Sequence, residues 1–338
     1  MELNAKELDV KDNQAKKLDV QGIFLKYSVY IVLVVLFVYF SFASPRFLTV
    51  GNMANFFRQL PSVGILTIGY TMILITGYVD LSIASIAAFA GTLAAQLAIM
   101  GVPAPFVILI SLLSGAVFGL LNAALILKFD LPSFISTLGM NFIIRGIVMF
   151  ATNGIMVIGV PAWFTTISTT RIFSGVPIVQ DLIFSNTLIF LVLVAVFAYV
   201  MKNTRLGKYC YAIGSNTESA RLSGIKTNRH VMKIFAIEGT LAALAGILLM
   251  SNLNVGAPNE GQGLDLLAMA AAIMGGTQFS GGVGTIGGAV VGIFTLQLFT
   301  NGLAIMGVNS FVQQIVTGGV IIFAVIVDFL RRKAATNN

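Results

Sequence analysis

Charge is the scarcest commodity in this sequence: of 338 residues only 10% are Asp, Glu, Lys or Arg, against 57% hydrophobic. A soluble globular chain carries roughly 25% charged residues, so water is excluded as the main solvent. Cysteine and histidine are scarcer still, with Cys210 and His230 the only examples. One cysteine rules out an intrachain disulfide framework, and one histidine leaves little from which to build a metal site. Both read as ordinary residues near a membrane surface. A nucleophile, base and orienting group cannot be assembled around a single His or Cys, although a pair of carboxylates remains open. No phosphate cradle is present either: Gly207-Lys208 is followed by Tyr209 and lacks the upstream glycine of a Walker A loop. The glycine-rich run from Gly275 to Gly292 is no dinucleotide loop, because it follows an apolar stretch of helix length and no strand.

What the chain does have is long uncharged runs. No Asp, Glu, Lys or Arg occurs from Leu81 to Leu127 or from Leu266 to Val327. A bilayer crossing takes about 20 apolar residues, so the first run holds two crossings, joined near Gly101, Pro103 and Pro105, and the second holds three. With the remaining apolar stretches this predicts an all-α integral membrane protein of about ten transmembrane helices, near 27–43, 60–79, 82–100, 106–127, 132–152, 182–201, 231–251, 265–280, 285–300 and 309–327. Unbroken runs of this kind lack the ten-residue alternation of a membrane barrel.

Placing both termini in the cytoplasm puts 16 of the 20 Lys and Arg residues on the inner side, which selects this orientation over its mirror image. The same bias accounts for the net charge of +7 without a nucleic-acid partner, since the bases lie at helix ends and form no stripe. The expected layout is a cytoplasmic tail over 1–26, a transmembrane domain over 27–330, with an external connection at 153–181 and a cytoplasmic one at 202–230, and a cytoplasmic tail over 331–338. Residues 1–26 mix acids with bases and precede no small-residue cleavage site, so a cleaved leader is not expected.

Two pairs of segments point to an internal repeat. Ser114–Leu125 aligns with Gly287–Leu298, sharing a small-xxx-small pattern, and Val79-Asp80-Leu81 aligns with Leu264-Asp265-Leu266. The two copies would run in opposite directions, which makes a 5+5 inverted repeat. Eight glycines crowd Gly275–Gly292; close helix packing is the first reading, and a break lining a substrate path is the alternative.

In the 202–230 connection, Ser215-Asn-Thr-Glu218 has capping-box spacing and Gly224 supplies a left-handed stop. A helix over Asn216–Ser223 is expected, presenting Arg221 and Leu222. Within the apolar stretches Arg145 and Glu238 are costly and therefore candidate functional groups, with bonding to backbone or to each other as the alternative. Asp80 and Asp265 read first as anions at the N-termini of the third and eighth spans. Amides suit a neutral polyhydroxylated cargo, which nominates Asn122, Asn141, Asn252 and Gln297; helix-to-helix bonding serves each equally well. Trp163, in the external connection, is a docking contact or an interface anchor.

Three motifs carry a resemblance. Gly214-Ser-Asn-Thr-Glu-Ser-Ala-Arg-Leu-Ser-Gly-Ile225 resembles the G-x-N-x-x-A-A-x-x-S-G-I segment of the ribose-type permeases of ATP-binding-cassette importers, with Ser219 in place of the first alanine. Thr76-Gly-Tyr-Val-Asp-Leu-Ser82 is similar to their T-G-G-I-D-L-S, with Tyr78 for the second glycine, and Gly275–Gly284 to their G-G-T-S-L-x-G-G-x-G. The likeness runs from about residue 28 to 330. It implies a non-enzymatic permease of the bacterial cytoplasmic membrane, in the branched-chain amino acid/ribose permease superfamily, importing a ribose-like monosaccharide. Its implied partners are ABC ATPase subunits that use ATP-Mg, an external substrate-binding protein and a second permease copy or paralogue. This chain itself would bind no cofactor. By the same resemblance Ser215, Asn216, Glu218, Ala220, Arg221, Leu222, Ser223 and Gly224 form the coupling helix that seats in the ATPase. Asp80, Ser82, Asn122, Asn141, Arg145, Glu238, Asn252 and Gln297 are the candidates for the translocation path. A self-sufficient ion-coupled carrier would also fit an inverted repeat, but it would have no ATPase to dock; scarce catalytic groups weigh against an intramembrane enzyme.

Overall fold

The computed structural model describes residues 29–172, 182–320, 322 and 326. Both expected tails and residues 173–181 of the expected external connection lie outside the described residues. The described elements are helical: α1 (Val29–Ala43), α2 (Val50–Ile75), α3 (Ile83–Ile99), α4 (Ala104–Phe129), α5 (Ser133–Thr152), α6 (Ala162–Thr169), α7 (Ser185–Asn203), α8 (Arg205–Ser215), α9 (Thr217–Leu222), α10 (Thr227–Leu253), α11 (Leu264–Met274), α12 (Ile286–Ile305) and α13 (310–320). Six of these, α2, α4, α5, α7, α10 and α12, are long and apolar enough to cross a bilayer, and α1, α3 and α11 are shorter apolar helices. The chain is a multi-pass membrane protein.

Local chemistry sets the ends. Thr49 caps α2 by accepting the Asn52 amide, and Thr285 caps α12 by accepting that of Gly288 at 3.0 Å. Among the described residues the only non-glycine residues with positive φ are Asp130, Asn153 and Asn254, which end α4, α5 and α10 in the left-handed conformation that Asx side chains tolerate.

Two boundaries depart from expectation. α2 starts at Val50 rather than near residue 60, running through Pro61. Proline removes the bond to the carbonyl four residues back, and the freed Phe57 carbonyl accepts instead from Thr187 Oγ1 of α7 at 2.9 Å, while Asn186 Nδ2 reaches the Arg58 carbonyl at 2.8 Å. A neighbouring helix thus repairs the break that the sequence suggested as a start. α11 stops at Met274 rather than near 280, because Gly275 caps it and Gly276, Gly281, Gly282 and Gly284 all have positive φ. The glycine run therefore both packs closely and breaks the helix. Gly275, Gly288 and Gly292 bring α11 and α12 into backbone contact, and Gly276, Gly281, Gly282 and Gly284 shape a non-helical connection.

Burial sorts the helices. α2 and α10 are 89% and 72% buried over their apolar windows, against 22%, 28% and 22% for α4, α5 and α7. The outer helices turn Phe106, Phe142, Phe150 and Tyr199 outward, an apolar belt far larger than a soluble monomer exposes and one that lipid covers. α2 packs on α11 and α12, whereas α10 packs on α3 and α4, so each central helix sits among elements of the other half. The α4–α10 seam is glycine on glycine: a Cβ on Gly115 would lie 2.2 Å from the Gly239 carbonyl oxygen, and one on Gly119 would lie 2.0 Å from that of Phe235. Gly91 and Gly246 play the same part where α3 meets α10.

The described part of the 153–181 segment is pinned rather than loose. Val157 bridges Gly256, and Ser168 Oγ donates to the Leu248 carbonyl at 2.8 Å. Trp163 packs against the buried cluster around Phe164 and Met250.

Candidate functional site

The 202–230 connection folds as two helices, where one was expected. The first, α8, buries Gly207, Cys210 and Ile213; its signal, small or apolar residues three and four apart, was present in the sequence but overshadowed by Lys208 and the aromatics. Cys210 Sγ lies 3.4 Å from His230 Nε2, tying α8 to the start of α10, and burial pushes the thiol up to about 11. Both residues, expected as ordinary groups near a membrane surface, are buried.

The second helix, α9, corrects the capping assignment. Asn216 is the cap: its Oδ1 accepts the Ser219 amide at 2.8 Å, while Ser215 closes α8. An amide side chain caps as well as a hydroxyl, so the motif is displaced by one residue and the helix covers Thr217–Leu222, shorter than the expected Asn216–Ser223. Glu218 does not reach back to the cap. It pairs with Arg221 at 2.6 Å, and this exposed pair holds the carboxyl below its usual range and the guanidinium above its own. Leu222 is 78% exposed and Ala220 is buried, while Ser223 Oγ donates to the Ser219 carbonyl at 2.9 Å and Gly224 ends the turn with φ of +84°.

Immediately before α9 the chain passes through a tight backbone crossing. A Cβ on Gly214 would sit 1.8 Å from the Ile75 carbonyl oxygen and 2.6 Å from the Gly282 nitrogen. That nitrogen donates to Ile75 O at 2.8 Å, so the end of α2 and the 275–285 connection are bonded at the point where Gly214 crosses them. Gly281 approaches Gly77, Gly282 approaches Ser215, and Tyr211 of α8 donates its hydroxyl to the Gly284 carbonyl at 2.8 Å. Tyr211 carries no sequence signal that separates it from a surface aromatic.

The polar candidates inside the bundle fall into separate places. Asp80, Ser82, Asn122 and Glu238 come together, all with no measurable exposure. Asp80 Oδ1 accepts from the Ser82 amide at 2.6 Å and hydroxyl at 2.7 Å, and Oδ2 accepts from Asn122 Nδ2 at 2.9 Å. Asp80 thus precedes α3 by making a turn with Ser82 rather than capping the helix, and Asp265 sits in the first turn of α11, whose cap is Gly263.

Asn141 and Arg145 of α5 line a second place, a cavity of about 340 Å³ shared with Ala84, Phe142, Gln262, Gly263, Asp265 and Leu266. Arg145 does not meet Glu238. It donates to the carbonyls of Pro258 and Glu260 at 2.7 and 2.9 Å, which fixes the connection between α10 and α11 at the cavity rim. Asn252 and Gln297 stand apart. Asn252 Oδ1 accepts from Arg58 at 2.8 and 3.2 Å, and Gln297 Nε2 donates to Gln59 at 3.4 Å, so both bond α2. Arg58 escaped the sequence reading because α2 was expected to start after it, and Gln262 because it lay between predicted helices. Among the described residues no cluster of His, Cys, Asp and Glu suits a metal ion.

Residues 52–325 match the family described as branched-chain amino acid transport system / permease component. The ribose import permease protein RbsC of Escherichia coli (strain K12) is 36% identical over 299 residues, covering 88% of this chain and 92% of the relative. The ribose import permease protein RbsC of Bacillus subtilis (strain 168) is 34% identical, covering 95% and 98%. The xylose transport system permease protein XylH of Haemophilus influenzae (strain ATCC 51907 / DSM 11121 / KW20 / Rd) is 29% identical, covering 91% and 96%. No solved structure matches the chain significantly.

Proposed function

The chain belongs to the branched-chain amino acid transport system / permease component family, and we propose from that premise that it passes a ribose-like monosaccharide through the cavity between α3, α5 and α11. It is the membrane permease subunit of an ATP-binding-cassette importer, not itself an enzyme. Membership of this family favours that reading over a self-powered carrier, and relatives named for ribose and xylose support a pentose-sized cargo.

The observation that carries the coupling part of the reading is the crossing at Gly214. α9 presents an exposed ion pair and the exposed Leu222, and the adjoining 275–285 connection adds Phe279 and Val283, 47% and 48% exposed. Such a mixed surface suits a protein cleft, with the charges fixing register. A push on α9 meets Gly214 first, and through it the end of α2 and the 275–285 connection, with no flexible side chain between them.

In this reading the bundle crosses the membrane ten times with both termini in the cytoplasm, residues 202–230 face the cytosol and residues 153–181 face outward to receive a substrate-binding protein. The reciprocal packing of α2 and α10 supports a 5+5 inverted repeat. ATPase subunits consume ATP-Mg, a second permease copy or paralogue completes the pathway, and the assembly lies in the bacterial cytoplasmic membrane. The cavity, at the lower end of the roughly 300–1,000 Å³ of small-molecule sites, supplies the Asn141 amide, Gln262 and Arg145 as partners for sugar hydroxyls. Asn252 and Gln297 serve helix contacts instead. Asp80, Ser82, Asn122 and Glu238 are not among the residues that line this cavity.

The test is reconstitution in vesicles with the ATPase and binding protein and assay with labelled ribose, xylose and a branched-chain amino acid. Nucleotide-dependent uptake of a sugar supports the reading, whereas uptake of the amino acid alone, or of sugar without nucleotide, sinks it.

A further inference from the structure

The Asp80–Glu238 centre is unexplained by sugar passage or by coupling. Glu238 lies in the middle of α10 with no measurable exposure, and neither of its carboxyl oxygens has a hydrogen-bond partner. Its neighbour is the Asp80 carboxyl, within hydrogen-bonding reach. Two ionised carboxyl groups are acceptors only and cannot bond each other. Both together in a dry interior would combine desolvation with repulsion.

Nothing nearby supplies a compensating cation. Among the described residues neither carboxyl group has a Lys, Arg or His within ion-pair distance. α2 contributes the buried Tyr70, whose hydroxyl is also unpartnered, and Gly69, which packs against the Glu238 side chain. α4 contributes the neutral Asn122. Asp265 of α11 is a further acid near Tyr70.

The geometry points to a proton-holding site: Glu238 is a neutral carboxylic acid that donates its proton to an ionised Asp80, so the centre takes up one proton from water when the bundle assembles and carries one negative charge instead of two. The asymmetry of the two groups assigns the proton. Asp80 already has three donors from Ser82 and Asn122 to support a negative charge, and Glu238 has none. The resulting O–H···O bond clasps α10 to the connection between α2 and α3, and through Asn122 to α4. This inference does not depend on the cargo.

Infrared spectroscopy on the intact importer complex in lipid reads it directly. The expected result is a protonated-carboxyl C=O band at neutral pH that shifts in D₂O, is lost in Glu238→Gln and is unchanged when sodium and potassium are replaced by choline. Glu238→Gln keeps an N–H donor toward Asp80 and is expected to purify in the same complex. Absence of the band in the unaltered protein, its persistence in Glu238→Gln, or its appearance only after metal cations are withdrawn would each overturn the proposal, the last by assigning the site to a monovalent cation. The first of these outcomes requires no variant to fold.

Discussion

Gly214→Ala is the sharpest test of how α9 is linked to the bundle. The added methyl would stand 1.8 Å from the Ile75 carbonyl oxygen, about 1.6 Å inside ordinary contact, and 2.6 Å from the Gly282 nitrogen. Both obstacles are backbone atoms, so no side chain can swing aside. Overpacking costs about 1–3 kcal/mol, and parting the buried Gly282 N–H···Ile75 O bond without replacing it costs about 1–3 more. Even about 2 kcal/mol exceeds the 1.4 kcal/mol that makes a tenfold change in an equilibrium. The linked arrangement should therefore fall at least about tenfold in population, and sugar carried per ATP hydrolysed should fall with it. The assay is uptake and ATP hydrolysis in the same proteoliposomes, with Gly146→Ala as control, since a Cβ there meets nothing within 4 Å. If Gly214→Ala folded, bound its ATPase and kept the original stoichiometry, a rigid backbone link would be refuted.

The corrected cap gives a paired prediction: Asn216→Ala should lower α9 stability by about 1 kcal/mol and weaken ATPase binding, while Ser215→Ala, which removes no cap bond, should not; equal effects in a pull-down would restore the displaced assignment. Arg145→Ala frees the carbonyls of Pro258 and Glu260 and should abolish sugar uptake in complexes that still assemble and bind ATP; uptake within twofold of the original would remove the cavity from the path. Cytoplasmic termini predict that Thr336→Cys is shielded from an impermeant thiol reagent in intact cells and labelled in opened ones, and labelling in intact cells would invert the orientation.

The helical membrane character of this chain is legible in composition, because lipid tolerates few charges and the uncharged runs have helix length. What the sequence concealed depends on partners from distant segments. Pro61 looks like a helix start until Thr187 and Asn186 satisfy the carbonyls around it. Asn216 and Ser215 are both competent caps, and only the position of α8 decides between them. Asp80 and Glu238 are 158 residues apart in the chain, and no local pattern foretells that two acids will meet. Of the amides, Asn141 lines the cavity while Asn252 and Gln297 are spent on α2, a division that chemistry alone could not make, because the same groups serve cargo and helix equally.

The three segments that carry the family resemblance, Thr76–Ser82, Gly214–Ile225 and Gly275–Gly284, are widely separated in sequence and meet at one crossing. That convergence argues that they form one device rather than three. A long side chain transmits displacement poorly because its rotamers absorb it, whereas backbone in contact with backbone has no such slack. Glycine is the residue that allows that contact, and Gly281, at φ of +87° and against Gly77, could not be replaced without strain as well as collision. In the proposed coupling the small residues at this end of the bundle would pass on a displacement that larger ones would absorb, so a single methyl at Gly214 is expected to disconnect α9 while leaving the bundle standing.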